Sequence, residues 1–98
     1  MSVIRTEKAE EDIKEIYKHS FGEFGEAQAE KYYAGLEKRF ISILEKTVHS
    51  TDYSFVAHNL RRTNYMSHAI YYRIEGDDVV IIRVLGQKMD ELRHLDDS

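Results

Sequence analysis

The chain has 98 residues, 42% hydrophobic and 33% charged, with net charge −4 and neither cysteine nor proline. That length fits one domain, residues 1–98, with a single modest core. The composition excludes a disulfide framework, thiolate metal sites and a bilayer-spanning helix, which needs ~20 apolar residues, and the acidic balance argues against a generic nucleic-acid binder. No apolar h-region marks an export signal, and the absence of cysteine suits a reducing compartment, so a cytoplasmic protein is expected.

A short first strand is expected over residues 2–5, with Val3 and Ile4 as its apolar content. Thr6 is the candidate N-cap of a first helix, and Glu7 and Glu10 fall in the first turn, where the helix dipole favours acid. Ala9, Ile13, Ile16, Tyr17 and Phe21 recur at helical spacing. Gly22 is the expected stop, and Phe24-Gly25 the link to the next helix. That second helix is expected over residues 26–46, with a stripe of Ala29, Tyr32, Tyr33, Leu36, Phe40, Ile43 and Leu44. So short a connection implies an antiparallel hairpin, whose apolar stripes must bury against a sheet.

Residues 47–59 are rich in Ser, Thr, Asp and His and read as a loop. Strands follow over residues 60–65, 68–74 and 79–85, the last two joined by Glu75-Gly76-Asp77-Asp78, which suits a tight hairpin turn. Simple alternation pairs Ile74 with Val79, Tyr72 with Ile81 and Ile70 with Arg83. His68, Ile70, Tyr72, Ile74, Val79, Ile81, Arg83 and Leu85 then share one face, and Tyr71, Arg73, Val80, Ile82 and Val84 the other. Both faces are largely apolar. The helical hairpin covers one, and at least part of the other calls for the segment Lys88 to Leu95, a second copy or a different protein.

Charge is unevenly spread. Residues 53–74 contain no Asp or Glu, while His58, Arg61, Arg62, His68 and Arg73 fall there. These cations either form a basic face or pair with helix carboxylates such as Glu10, Glu11 or Glu30. None of the five histidines has a partner at zinc-motif spacing, and no nucleophile elbow or phosphate-binding loop is present. No metal and no cofactor is expected, and structural or surface roles are expected for the histidines. A buried arginine must be paired, so Arg73 and Arg83 are read either as ion pairs fixing the sheet or as groups that meet a partner carboxylate or phosphate. One enzymatic alternative remains. Arg61, Arg62, Lys88 and His94, if convergent, would suit a metal-free ribonuclease.

The order strand–helix–helix–strand–strand–strand resembles the RelE/ParE toxin superfamily, and its ParE branch in particular. The residues that carry the resemblance run through nearly the whole chain. They are Ala9, Asp12-Ile13 and Ile16-Tyr17, then Phe24-Gly25, Gln28-Ala29, Tyr32 or Tyr33, Leu36 and Phe40. Leu60-Arg61-Arg62, His68, Ile70-Tyr71-Tyr72-Arg73, Ile82-Arg83-Val84-Leu85 and Met89-Asp90 complete them. The sequence departs from the family pattern near Thr47, where proline is frequent, at Gly86, where histidine is common, and at Lys88, where arginine is common.

The resemblance implies an α+β fold with an N-terminal strand, an antiparallel helical hairpin on a small antiparallel sheet and a short C-terminal segment. It implies a toxin of a type II toxin–antitoxin module that inhibits or poisons DNA gyrase by protein binding and is not an enzyme. A cognate ParD-like antitoxin neutralises such a toxin in a hetero-oligomer, without direct nucleic-acid or membrane contact. Arg83, Lys88, Met89 and Asp90 are the expected target contacts, and Tyr17, Phe21 and Arg73 the expected antitoxin contacts, with the exposed sheet edge. The RelE branch instead cleaves mRNA on the ribosome, and Arg61, Lys88 and His94 are the nearest equivalents of its catalytic groups. A homologue that has lost potency is the third reading.

Overall fold

The structure, a computed structural model, describes residues 1–86. Strand β1 (Val3–Arg5) leads into helix α1 (Glu7–Phe24). Thr6 does two jobs at this junction. Its side chain accepts from the Ala9 N–H, as an N-cap should, and its hydroxyl donates to the Ile82 carbonyl at 2.9 Å. The start of α1 is thereby fastened to the last strand. Helix α2 (Glu26–Leu44) follows after one residue. That residue, Gly25, has φ +89°, a backbone conformation side chains rarely adopt, which is why the chain reverses there. The expected stop at Gly22 is therefore corrected. Gly22 lies inside α1, because one glycine does not end a helix whose next backbone bonds can still form.

Tyr17 meets both Glu30 and Tyr33, so the helices run antiparallel. They pack on a five-stranded sheet of order β1-β5-β4-β3-β2, completed by β2 (Thr51–Asp52), β3 (Arg61–Tyr65), β4 (His68–Glu75) and β5 (Asp78–Gly86). The sheet is mixed rather than wholly antiparallel, because β1 pairs parallel to β5. The antiparallel partners are β5–β4, β4–β3 and β3–β2.

The hairpin register departs from simple alternation. Ile74 pairs with Val79 and Tyr72 with Ile81, as expected, but Tyr71 then pairs with Arg83 and Ile70 with Val84. Ile82 is the extra residue of a β-bulge, and a one-residue insertion exchanges the faces of everything beyond it. Val84 therefore joins Ile70, Tyr72, Val79 and Ile81 under the helices, against Ala9, Ile13, Leu36, Phe40 and Ile43. Leu85 passes to the opposite face, with Leu60, Ala69, Tyr71 and Ile82.

Part of that opposite face is covered by the β2–β3 connection, a cover not expected from the sequence; the segment 88–95, one of the expected covers, lies outside the described residues. Tyr53, Val56 and Ala57, from the β2–β3 connection, pack onto it. The connection is held by Val56 N–H donating to the Tyr53 carbonyl and Leu60 N–H to that of Ala57. Asn59, at φ +56°, makes the turn back into β3. Tyr71 is left only 1% exposed.

Candidate functional site

Arg83 lies at the bulge and reaches Asp12 on α1. Its Nε donates to Asp12 Oδ2 at 2.7 Å and its second guanidinium nitrogen to Oδ1 at 2.9 Å. Asp12 Oδ2 also accepts the Val84 backbone N–H at 3.0 Å. The two side chains are 13% and 14% exposed. One carboxylate thus neutralises a largely buried guanidinium in a bidentate pair and holds the backbone just past the bulge. Of the two readings of Arg83, the ion pair is present. Lys88, Met89 and Asp90 lie outside the described residues.

Arg73 stands on the opposite face of the sheet, 3.9 Å from Glu75, and its Nε is buried without a hydrogen-bond partner among the described residues. A buried donor left in that state favours any acceptor brought to it. Tyr17 and Phe21 belong to the helical layer instead. Their rings lie 6.3 Å apart, and Tyr17 donates to Glu30 at 2.6 Å. That hydrogen bond to a carboxylate, which favours the neutral phenol, raises the Tyr17 pKa. Phe21 is 49% and Phe24 68% exposed. The three expected antitoxin contacts are thus not brought together. A partner touching all of them must pass from the helices round to the far side of the sheet.

The ribonuclease residues do not converge where they are described. Neighbours in a strand face opposite ways, and Arg61 pairs in register with Tyr72 while Arg62 pairs with Tyr71. Arg61 donates from Nε to Ser50 Oγ at 2.9 Å. Arg62 lies over the rings of Tyr53 and Tyr71, 5.4 and 5.6 Å from their centroids, and donates to the Tyr53 hydroxyl at 2.7 Å. His94, like Lys88, lies outside the described residues. No group of three or more His, Cys, Asp or Glu able to hold a metal occurs among the described residues. None of their helices is long and apolar enough to cross a membrane.

Two grooves flank the helical hairpin. A shallow one of 410 Å³ follows the α1–α2 seam beside Lys14, Tyr17, Glu30 and Tyr33. The larger, of 580 Å³, is walled by Ile16, His19 and Phe24 of α1, Tyr32 of α2, and the β3–β4 turn at Met66 and His68. Within it the Tyr32 hydroxyl meets His68 Nδ1 at 2.5 Å. Burial of the imidazole, helped by His19, lowers the His68 pKa. Burial likewise raises that of Tyr32. Sequence reasoning missed this group. Its members come from three separate elements, so no spacing announces them.

The family model described as the ParE toxin of the type II toxin–antitoxin system parDE matches residues 3–91. The chain belongs to the ParE toxin family. Among solved structures, one titled as the chromosomal ParDE TA system from P. aeruginosa superposes on this ParE-family chain with a TM-score of 0.74. It is 19% identical, over 88% of this chain and 95% of that one. At that identity the likeness speaks to the fold, and the ParE fold expected from sequence is the one observed. No curated protein matches the chain.

Proposed function

We propose that this ParE-family chain is the toxin of a type II module that stops DNA gyrase by protein contact, acts in the cytoplasm as one domain, and has no active site of its own. The observation that carries the reading is the family match over residues 3–91. Two features of the surface support it. Arg61 and Arg62 diverge, so these two arginines do not aim together at one scissile phosphate. The expected contact residues are also spread over two sides of the molecule, which suits protein recognition over a wide surface better than chemistry at one point.

In this reading a ParD-like antitoxin chain wraps the toxin. It covers the exposed Tyr17–Phe21 patch on the helices and brings an acceptor to Arg73 on the far side. Arg83 and the residues after it, Lys88, Met89 and Asp90, meet the target. The deciding experiment places the purified chain with gyrase and plasmid DNA and, in parallel, in a ribosomal translation extract. Blocked supercoiling or linear cleaved plasmid with intact translation is the expected result. Cut mRNA with untouched gyrase overturns it and assigns the chain to ribosome-dependent cleavage, with Arg61, Lys88 and His94 to be mutated. Inactivity in both assays points to a homologue that has lost potency.

A further inference from the structure

At one end of the larger groove polar contacts join α2 to β3 and β4, and one of them involves a histidine. Tyr32 of α2, Tyr65 of β3 and His68 of β4 form a small network. The Tyr32 hydroxyl lies against His68 Nδ1, and the Tyr65 hydroxyl donates to the Tyr32 carbonyl at 3.3 Å. The Tyr32 ring stands edge-on to both, with centroids 5.1 Å from Tyr65 and 5.6 Å from His68. Where the Tyr32 hydroxyl donates, Nδ1 is the acceptor and His68 carries its proton on Nε2. We propose that Tyr32 and His68 form an acid-sensitive latch. While His68 is neutral it ties α2 to the β3–β4 turn, and its protonation releases the turn and widens the groove.

Three features of the site oppose the protonated form. A proton on Nδ1 sets two donors face to face unless the Tyr32 hydroxyl rotates to accept. Its own hydrogen then turns to the Ser67 hydroxyl or to the Tyr65 carbonyl, which at 3.5 Å is the outer edge of a useful bond. The imidazole is half-buried, so its cation loses hydration. His19 faces it from α1 across the groove, and two imidazolium ions there repel. The other groups facing the site among the described residues are Glu15 on α1, the Tyr65 phenol, and the Ser67 hydroxyl, 3.4 Å from Nδ1. Glu15 favours the cation but is engaged with Lys18 at 3.7 Å, and the Ser67 hydroxyl can accept from a protonated Nδ1 only at the long distance of 3.4 Å. The β5 neighbour of His68 in the ladder is Gly86, which contributes backbone only.

The turn itself is readily released. Met66 is held at φ +52°, a region where a residue with a side chain carries strain, so detachment of the turn relieves part of that cost.

The test is a nitrogen-15 NMR titration of the whole chain between about pH 8 and about pH 5, the histidine range, with amide-exchange protection factors measured in parallel. His68 is expected as the Nε2–H tautomer at high pH, titrating below the ordinary value of about 6.5. As it titrates, protection at Ser67 and His68 is expected to fall, while the Ile70–Tyr72 amides keep theirs. His68→Gln, which retains an acceptor and does not titrate, is expected to abolish the pH response. Tyr32→Phe is expected to lower protection at both ends of the range. The latch is overturned by the opposite tautomer, by a titration at or above about 6.5, by unchanged protection, or by an unaltered pH response in His68→Gln. Should either variant fail to fold, the titration of the unaltered chain decides.

Discussion

Replacing Asp12 by alanine tests how the bulged strand is held to the helices. The change removes the bidentate partner of Arg83 and the acceptor of the Val84 N–H together. Both charged side chains are more than four-fifths buried, so the pair behaves as an interior one and not as a surface bridge. Removing one partner of such a pair costs about 3–5 kcal/mol, because the other charge stays behind without it. The whole domain is stabilised by only about 5–15 kcal/mol. At ~4–8 °C per kcal/mol for a domain of this size, the thermal midpoint should fall by ~12 °C or more. Asp12→Asn keeps one acceptor but leaves the Arg83 charge uncompensated and sets an amide N–H against a guanidinium N–H, so most of the loss should remain. Urea unfolding of the three proteins, followed by circular dichroism, gives the values directly. A loss below about 1 kcal/mol in Asp12→Ala, the worth of an exposed pair, would refute the reasoning.

The two glycines near the helical turn should respond oppositely. Gly22→Ala adds a methyl group to open space inside α1 and should stabilise by ~1 kcal/mol in urea unfolding, whereas Gly25→Ala, at φ +89°, should destabilise. Gly35→Ala drives a methyl group into the Tyr65 hydroxyl, with the ring Cζ only 2.9 Å away, and should cost about 1–3 kcal/mol. Thermal melts should show that cost shrinking when Tyr65→Phe removes the hydroxyl. Because the folded pKa of His68 is lowered, its contribution to stability is complete above the unfolded value of about 6.5 and is lost as pH falls through the folded value. Denaturation midpoints of the native chain should therefore decline with acidification more steeply than those of His68→Gln. Lys88→Ala should weaken toxicity in growing cells and leave the fold intact. A folded variant of full toxicity would remove the C-terminal segment as the effector.

The elements visible in the sequence were those set by local rules. The stripe Ala9, Ile13 and Ile16 placed α1, the Thr6 cap placed its start, and the β-branched runs around Gly76-Asp77 placed the hairpin. What alternation could not register was the bulge at Ile82. Both faces of β5 are apolar, so the binary pattern is satisfied equally well with or without an inserted residue. The bulged register is held by Asp12, seventy-one positions from Arg83, through contacts that only the assembled fold creates. The cover supplied by Tyr53, Val56 and Ala57 was hidden for a related reason. Apolar residues scattered in a Ser- and Thr-rich stretch have no period, and their common direction comes from turns. Of the site, Arg83 and Arg73 stood out because charge inside an apolar strand demands a partner. Tyr32 and His68 did not, since either residue alone is ordinary.

The pairing of β1 with β5 also governs when this protein comes into being. Val3 lies beside Val79, so the first strand made waits for the last. Contacts of such long sequence separation form slowly and late. During synthesis, at roughly 5–20 residues per second, the helices emerge well before the strands they cover. In that interval the stripe of Ile13, Leu36 and Phe40 has no sheet beneath it. A nascent chain stopped short of β5 lacks both the Arg83 anchor and the strand that joins β1 to β4. The sheet is therefore closed only near the end of translation, and a product shortened before β5 lacks it.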